Sequence, residues 1–180
     1  MMHKDLAKIL ITKEEIEKRV KEIGAEITRD FAGESVLMVG ILRGAVVFFS
    51  ELVKNVDLDV RFDFMVVSSY GASSTSSGEV RIIKDISQGI EGKNVLIIED
   101  IIDTGNTLKN LKKMLLTRNP KSLKIVSLLD KPSRRVVEME GDYIGFVVPN
   151  EFVVGYGLDY AEKYRNLPEI GVLKEEIYSE

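Results

Sequence analysis

The chain has 180 residues, 44% of them hydrophobic and 30% charged, the balance of a soluble single domain with a full core. It has no cysteine, which excludes disulfides, thiolate nucleophiles and cysteine-ligated zinc, and its single histidine, His3, stands where a frayed terminus is expected. The formal charge of −4, from 25 basic and 29 acidic residues, argues against broad nucleic-acid binding. No apolar run spans a bilayer and no secretory signal is evident, so the expected location is cytoplasmic, with no membrane partner. Any chemistry must be run by carboxylates, lysines, hydroxyls, backbone amides and a hard metal such as magnesium.

In chain order, residues 12–31 predict a helix. Thr12 and Glu15 fit a capping box, and Ile16, Val20, Ile23, Ile27 and Phe31 recur at helical spacing. SVLMVGI (35–41) predicts a buried strand, LRG (42–44) a turn and AVVFFSELV (45–53) a helix. LDVRFDFMVV (58–67) alternates as a strand does, and GASSTSSG (71–78) has the composition of a flexible loop. EVRIIK (79–84), NVLIIE (94–99), SLKIVSLL (122–129) and DYIGFVV (142–148) predict further strands, and TLKNLKKMLL (107–116) a helix. The succession of strand, turn and helix predicts an α/β fold, with a largely parallel twisted sheet flanked by helices on both faces. In such sheets ligands bind at the carboxyl ends of the strands. The LRG, EDIIDTGNT and DKPS turns all fall there.

The stretch VLIIEDIIDTGNTL (95–108) carries the chemistry. Asp103, Thr104, Gly105, Asn106 and Thr107 lie between a strand and a helix. Gly105 allows a tight turn, the helix start offers free N–H groups, and the threonines add hydroxyls. That is a phosphate cradle without the Gly-x4-Gly-Lys pattern of a Walker loop. Glu99 and Asp100 are acceptors suited to paired ribose hydroxyls or to magnesium. Asp103 stands between them and the cradle, as a candidate general base. Helix capping alone accounts for one such acid, but not for three.

This stretch resembles the signature of type I phosphoribosyltransferases, which bind phosphoribosyl pyrophosphate. The chain around it, over residues 41–165, resembles the 6-oxopurine branch, the hypoxanthine-guanine phosphoribosyltransferases. The resemblance implies one domain over 1–180: a core of about 10–150, and a small hood of N- and C-terminal segments over the C-terminal strand edge. It implies that Leu42-Arg43-Gly44 form a pyrophosphate turn, commonly with a non-proline cis peptide, and that Arg165 reaches the pyrophosphate. Ser69 and Tyr70 would belong to a lid that excludes water. Lys131 would donate to the purine's exocyclic oxygen. Phe152 would stack on the base, Val153 would read its edge through backbone groups, and Leu158 would border it. Glu99, Asp100 and Asp159 would hold Mg²⁺. Taken without the resemblance, Lys131 reads as a solvated charge, Phe152 and Val153 as core, and Arg43 and Arg165 as surface charges.

The implied reaction transfers the 5-phosphoribosyl group to hypoxanthine or guanine, with Mg²⁺ as cofactor. The resemblance also implies a homodimer or homotetramer, to which GYG (155–157) and the apolar residues 45–53 could contribute. A preference for xanthine, a non-catalytic RNA-binding regulator on the same fold and a phosphoacceptor domain are the alternatives. The acidic tail EEIYSE (175–180) reads as a frayed helix without an assigned role.

Overall fold

The computed structural model describes residues 2–69 and 80–179. Near-continuous apolar runs in the central strands build a sheet buried on both faces. Strands β2 (Ser35–Leu42), β3 (Asp59–Ser69), β4 (Val80–Lys84), β5 (Asn94–Ile102), β6 (Ser122–Asp130) and β7 (Tyr143–Val147) form it in the order β4-β3-β2-β5-β6-β7. All neighbours are parallel except β3 and β4. Leu96 and Ile98 of β5 join the core under helices α1 (Lys13–Asp30) and α2 (Val46–Val53), whereas Val95 and Ile97 join the core under α3 (Asn106–Leu116). Ile16, Val20, Ile23 and Ile27 of α1 point into the first core, and Leu108, Leu111 and Leu115 of α3 into the second, as the helical period requires.

The capping box is formed. Thr12 N–H donates to Glu15 Oε2 at 2.8 Å, and Glu15 N–H to Thr12 Oγ1 at 3.3 Å. Each expected strand and helix among the described residues is present within a few residues of its expected ends. The largest shift is at β5, which runs on to Ile102 because its end still pairs with β6 (Glu99 with Ser127, Ile101 with Leu129, Ile102 with Asp130). Glu99 and Asp100 therefore lie within the strand, and the turn starts only at Asp103.

A second sheet combines the two ends of the chain. Strand β1 (Leu6–Ile11) pairs antiparallel with β9 (Ile170–Leu173), which pairs with β8 (Val153–Val154). Reading the N-terminus as frayed missed β1. Its residues bury Leu6 and Ile11 against β8 and β9, and His3 sits edge-on to Tyr164 with ring centroids 5.5 Å apart. The chain closes with a short helix, α4 (Glu175–Tyr178). No helix among the described residues is long and apolar enough to cross a membrane.

Arg118, just beyond α3, makes a two-pronged pair with Asp85 at the end of β4 (2.9 and 2.8 Å). The Arg118 guanidinium holds the Asp85 carboxyl below its ordinary pKa. A carboxylate with a folded pKa below its unfolded one adds stability above the unfolded value, and loses it as pH falls through the folded value. Both side chains are substantially exposed, so the contribution is at most about 1 kcal/mol. Urea unfolding should therefore show Asp85→Asn less stable than wild type at pH 7, with the gap closing below about pH 4. A gap that stays constant down to pH 3 would contradict the assignment.

Candidate active site

Beyond Ile98, β5 no longer pairs with β2. The alternation slips there. Ile101 packs with the core under α1 and α2, and Ile102 with the core under α3. Asp100 Oδ1 takes the Ile101 N–H at 2.8 Å. Its other oxygen, Oδ2, lies so close to Gly44 that a Cβ there would come within 1.8 Å of it, so any side chain at 44 would displace the Asp100 carboxylate. Desolvation by the surrounding protein lifts the Glu99 pKa well above the carboxylate range, and the neighbouring Asp100 charge lifts it further. Desolvation raises Asp100 as well.

The turn after β5 is held from behind. Lys131 N–H donates to Ile102 O at 3.0 Å and Val136 N–H to Thr104 O at 3.1 Å. The Arg135 guanidinium donates to Ile102 O at 3.2 Å, to Asp103 O, to Met139 O at 2.9 Å and to the Asp130 carboxylate. With these carbonyls occupied, the turn presents its other side to the cleft. Gly105 caps α3 with φ +85°, and a side chain there would press on Arg135 Cδ at 3.0 Å. The N–H groups of the first helical turn have no partner within the helix. Asn106 is the first residue of α3 and so stands among them. A small cleft of ≈ 150 Å³ is lined by Glu99, Asp103, Thr104, Gly105 and Thr107.

A larger cavity of ≈ 480 Å³ adjoins it, with Ile101 and Asp103 in both walls. Lys131, Phe152, Val153, Leu158 and Asp159 also line the larger one, with Arg134 and Tyr178 among the rest. Lys131 is only 8% exposed, against the expectation of a solvated lysine. Its ammonium donates to Glu151 O at 2.9 Å, and burial lowers its pKa. Val153 and Leu158 are buried, but Phe152 is 37% exposed. Asp103 meets Arg134 Nε at 3.2 Å.

The Leu42–Arg43 peptide is cis. Gly157, with φ +102°, brings its Cα against Gly44 O, where a Cβ would lie 2.1 Å from the oxygen. Gly157 of GYG thus makes a contact inside the chain that locks one turn onto another. Arg165 donates to Gly157 O at 2.7 Å and pairs with Asp159 at 3.0 Å. Glu162 bridges Arg43 at 2.8 Å and Arg165 at 3.4 Å, which brings the two arginines to one place. Ser69 ends β3 beside Val80, and Tyr70 and residues 71–79, the expected lid, lie outside the described residues.

The sequence reading missed Arg135, Arg134, Ile101 and Tyr178. The paired arginines after the DKPS turn were the available signal for the first two. Ile101 and Tyr178 gave none, because an apolar residue in a strand and an aromatic residue in an acidic tail are ordinary.

A glycine turn at a helix start, an acid pair on the preceding strand and a cavity beside them gather at the carboxyl ends of a parallel sheet, the edge where such sheets bind ligands. The model of the phosphoribosyl transferase domain matches residues 8–161, and the chain belongs to that family. It is 55% identical over 179 residues to a hypoxanthine-guanine phosphoribosyltransferase of Streptococcus pneumoniae, covering 99% of both chains. It is 57% identical over 179 residues to part of a bifunctional protein TilS/HprT of Listeria monocytogenes, of whose length it spans 28%. A crystal structure of a hypoxanthine phosphoribosyltransferase from Staphylococcus aureus superposes with a TM-score of 0.96 at 53% identity, covering 99% of this chain and 97% of the other.

Arg135 and Asp130 are each 15% exposed, and removing one partner of such a pair leaves a buried charge uncompensated. Arg135→Ala should cost about 3 kcal/mol in urea unfolding. A loss below about 1 kcal/mol, the range of a surface pair, would show that the clamp is not what holds the turn.

Proposed function

We propose that this protein transfers the 5-phosphoribosyl group from phosphoribosyl pyrophosphate to hypoxanthine or guanine, giving IMP or GMP and pyrophosphate. The observation that carries the reading is the buried Lys131 ammonium, which lines, together with Phe152, one cavity that shares Asp103 with the cradle. A cationic donor there accepts the 6-oxo group of these bases and confronts the amino group of adenine with another donor.

In this reading Thr104, Gly105, Asn106 and Thr107, with the start of α3, bind the 5′-phosphate. Glu99 and Asp100 accept from the ribose hydroxyls. Leu42, Arg43, Gly44 and Arg165 surround the pyrophosphate. Phe152 stacks on the purine, Lys131 donates to its oxygen, Val153 reads its edge and Leu158 borders it. The purine N9 attacks the anomeric carbon as the bond to pyrophosphate oxygen breaks, and Asp103 takes the proton from N7. Ser69 and Tyr70 belong to the lid that keeps water from the reacting carbon.

Phosphoribosyltransferases as a family use Mg²⁺ with phosphoribosyl pyrophosphate. The residues present fit such an ion. Glu99 and Asp100 offer hard oxygen donors whose desolvated charges are favoured by a cation. No cluster of three metal-ligating side chains exists among the described residues, which suits an ion held by one or two carboxylates and completed by substrate oxygens. Asp159 would contribute on the pyrophosphate side, where it already meets Arg165. When bound, the ion neutralises and orients the leaving pyrophosphate.

A cytoplasmic location and a homodimer or homotetramer accompany this reading. The exposed side chains of Phe62 and Val46, on β3 and α2, supply apolar surface for association.

The test is turnover of phosphoribosyl pyrophosphate and magnesium with hypoxanthine, guanine, xanthine, adenine and uracil in turn, the nucleotides being separated by chromatography. Products with hypoxanthine and guanine, lost on chelation, are expected. Product from xanthine alone would move the specificity, and folded protein inactive on every base would leave a binding protein. Removing a general base typically costs about 10²–10⁴ in rate. Asp103→Asn should lower kcat within that range with its melting temperature retained, and near-native kcat would remove Asp103 from the role.

A further inference from the structure

Within the acidic tail, Glu175–Tyr178 form α4, which is packed against the small sheet through Ile177 and Tyr178. Lys174 N–H donates to Asp5 O at 3.0 Å, and α4 packs Ile177 and Tyr178 against a cluster of Leu6, Val154 and Leu173. That cluster lies on one face of the small sheet. Phe152, just before β8, meets Tyr178 and Tyr160, both of which pack on that cluster. The Tyr178 ring stacks on Phe152 with centroids 4.8 Å apart and planes 22° from parallel, and Tyr160 meets Phe152 edge-on at 5.6 Å. Phe152 and Tyr178 both line the large cavity, and Phe152 keeps 37% of its surface exposed despite its two ring partners. The Tyr178 hydroxyl makes no hydrogen bond among the described residues, so it is the flat ring that engages.

We propose that Tyr178 is a positioning residue for the base: its ring backs Phe152 from the small-sheet side, so that the opposite face of Phe152 is presented in a fixed plane to the purine. The inference rests on the purine-site reading above. The backbone of Phe152 is already anchored, since its carbonyl accepts Leu173 N–H at 2.8 Å. Its ring plane is set by side-chain torsions that the backbone leaves open. A stacked neighbour removes that freedom before the base arrives, and preorganisation of this kind acts on affinity for the base. It does not act on the phosphate cradle or on proton removal, which are built from other elements.

The experiment is steady-state kinetics of wild type, Tyr178→Phe and Tyr178→Ala with hypoxanthine and phosphoribosyl pyrophosphate varied separately. An aromatic pair contributes enough for about a three- to tenfold effect on an affinity. Tyr178→Ala should raise KM for hypoxanthine by that factor, with kcat and KM for phosphoribosyl pyrophosphate within about twofold, the remainder that preorganisation of the base alone leaves. Tyr178→Phe should match wild type. In a Phe152→Leu background Tyr178→Ala should add nothing, because Tyr178 acts through Phe152. Should Tyr178→Ala fail to fold, Tyr178→Leu keeps the apolar cover without the flat ring and permits the same comparison. An unchanged KM, an equal rise for both substrates, or additivity with Phe152→Leu would overturn the proposal. So would a lowered KM for hypoxanthine, which would mean that the tyrosine ring occupies the place of the base. Wild type inactive on every base would instead remove the purine-site reading on which the inference stands, whereas active wild type with an unaltered Tyr178→Ala overturns the inference alone.

Discussion

One guanidinium holds the catalytic edge of the sheet together. Arg135 reaches the carbonyls that end β5, the carboxylate that ends β6 and the carbonyl of Met139 in the loop between β6 and β7. Arginine suits this place because its planar fork donates in several fixed directions and stays charged when buried. The consequence is directional. A turn whose carbonyls are bound from behind shows its amides and side chains forward, and the cradle, Asp103 and Lys131 all emerge from strands that this residue ties. A lysine could not hold three carbonyls and a carboxylate at once.

The electrostatics of the site are unbalanced by design of the fold. Glu99 and Asp100 are desolvated side by side with raised pKa values, and no cation among the described residues forms an ion pair with either. The Lys131 ammonium is desolvated too, with its pKa lowered, and meets a carbonyl rather than a carboxylate. Such groups cost folding stability when they stand without full partners. In the proposed reading each would be relieved by one part of a substrate: the acids by hydroxyls or a hard cation, the lysine by a carbonyl oxygen. By contrast Arg43, Arg165 and Asp159 neutralise one another through Glu162, so an anion entering there must compete with carboxylates already in place.

The fold was legible where periodicity decides structure. The helix spacing of α1 and its Thr12–Glu15 box, the apolar strands and the strand-end turns could be read without the structure, because burial on both faces leaves a strong pattern. The small sheet was not legible from pattern. β1 is six residues of mixed polarity, and β8 is two, so neither carries a period; their pairing is a product of tertiary contact between the chain ends. In the same way Lys131 reads as a solvated charge, since nothing local reveals that the carbonyl of Glu151 and the surrounding loops bury it. The sequence offered GYG only as a possible contributor to an interface. The approach of Gly157 to Gly44 shows that the missing side chain at Gly157 serves an internal contact.

That contact carries the last step of the argument. Gly44 is pressed from two sides, by the carboxylate of Asp100 against its Cα and by Gly157 against its carbonyl. Asp100 belongs to the strand that ends in the cradle, and Gly157 to the segment that continues from Phe152 and Val153. Arg165 then fastens that segment by donating to Gly157 O. The turn after β2 is therefore wedged between Asp100 and the segment that holds Gly157, where a methyl group would press on the Asp100 carboxylate or on the Gly44 carbonyl. Interiors packed this closely transmit displacement rather than absorb it. The turn at Gly44 thus packs at once against the end of β5 and against the segment that follows β8, two parts of the chain far apart in sequence.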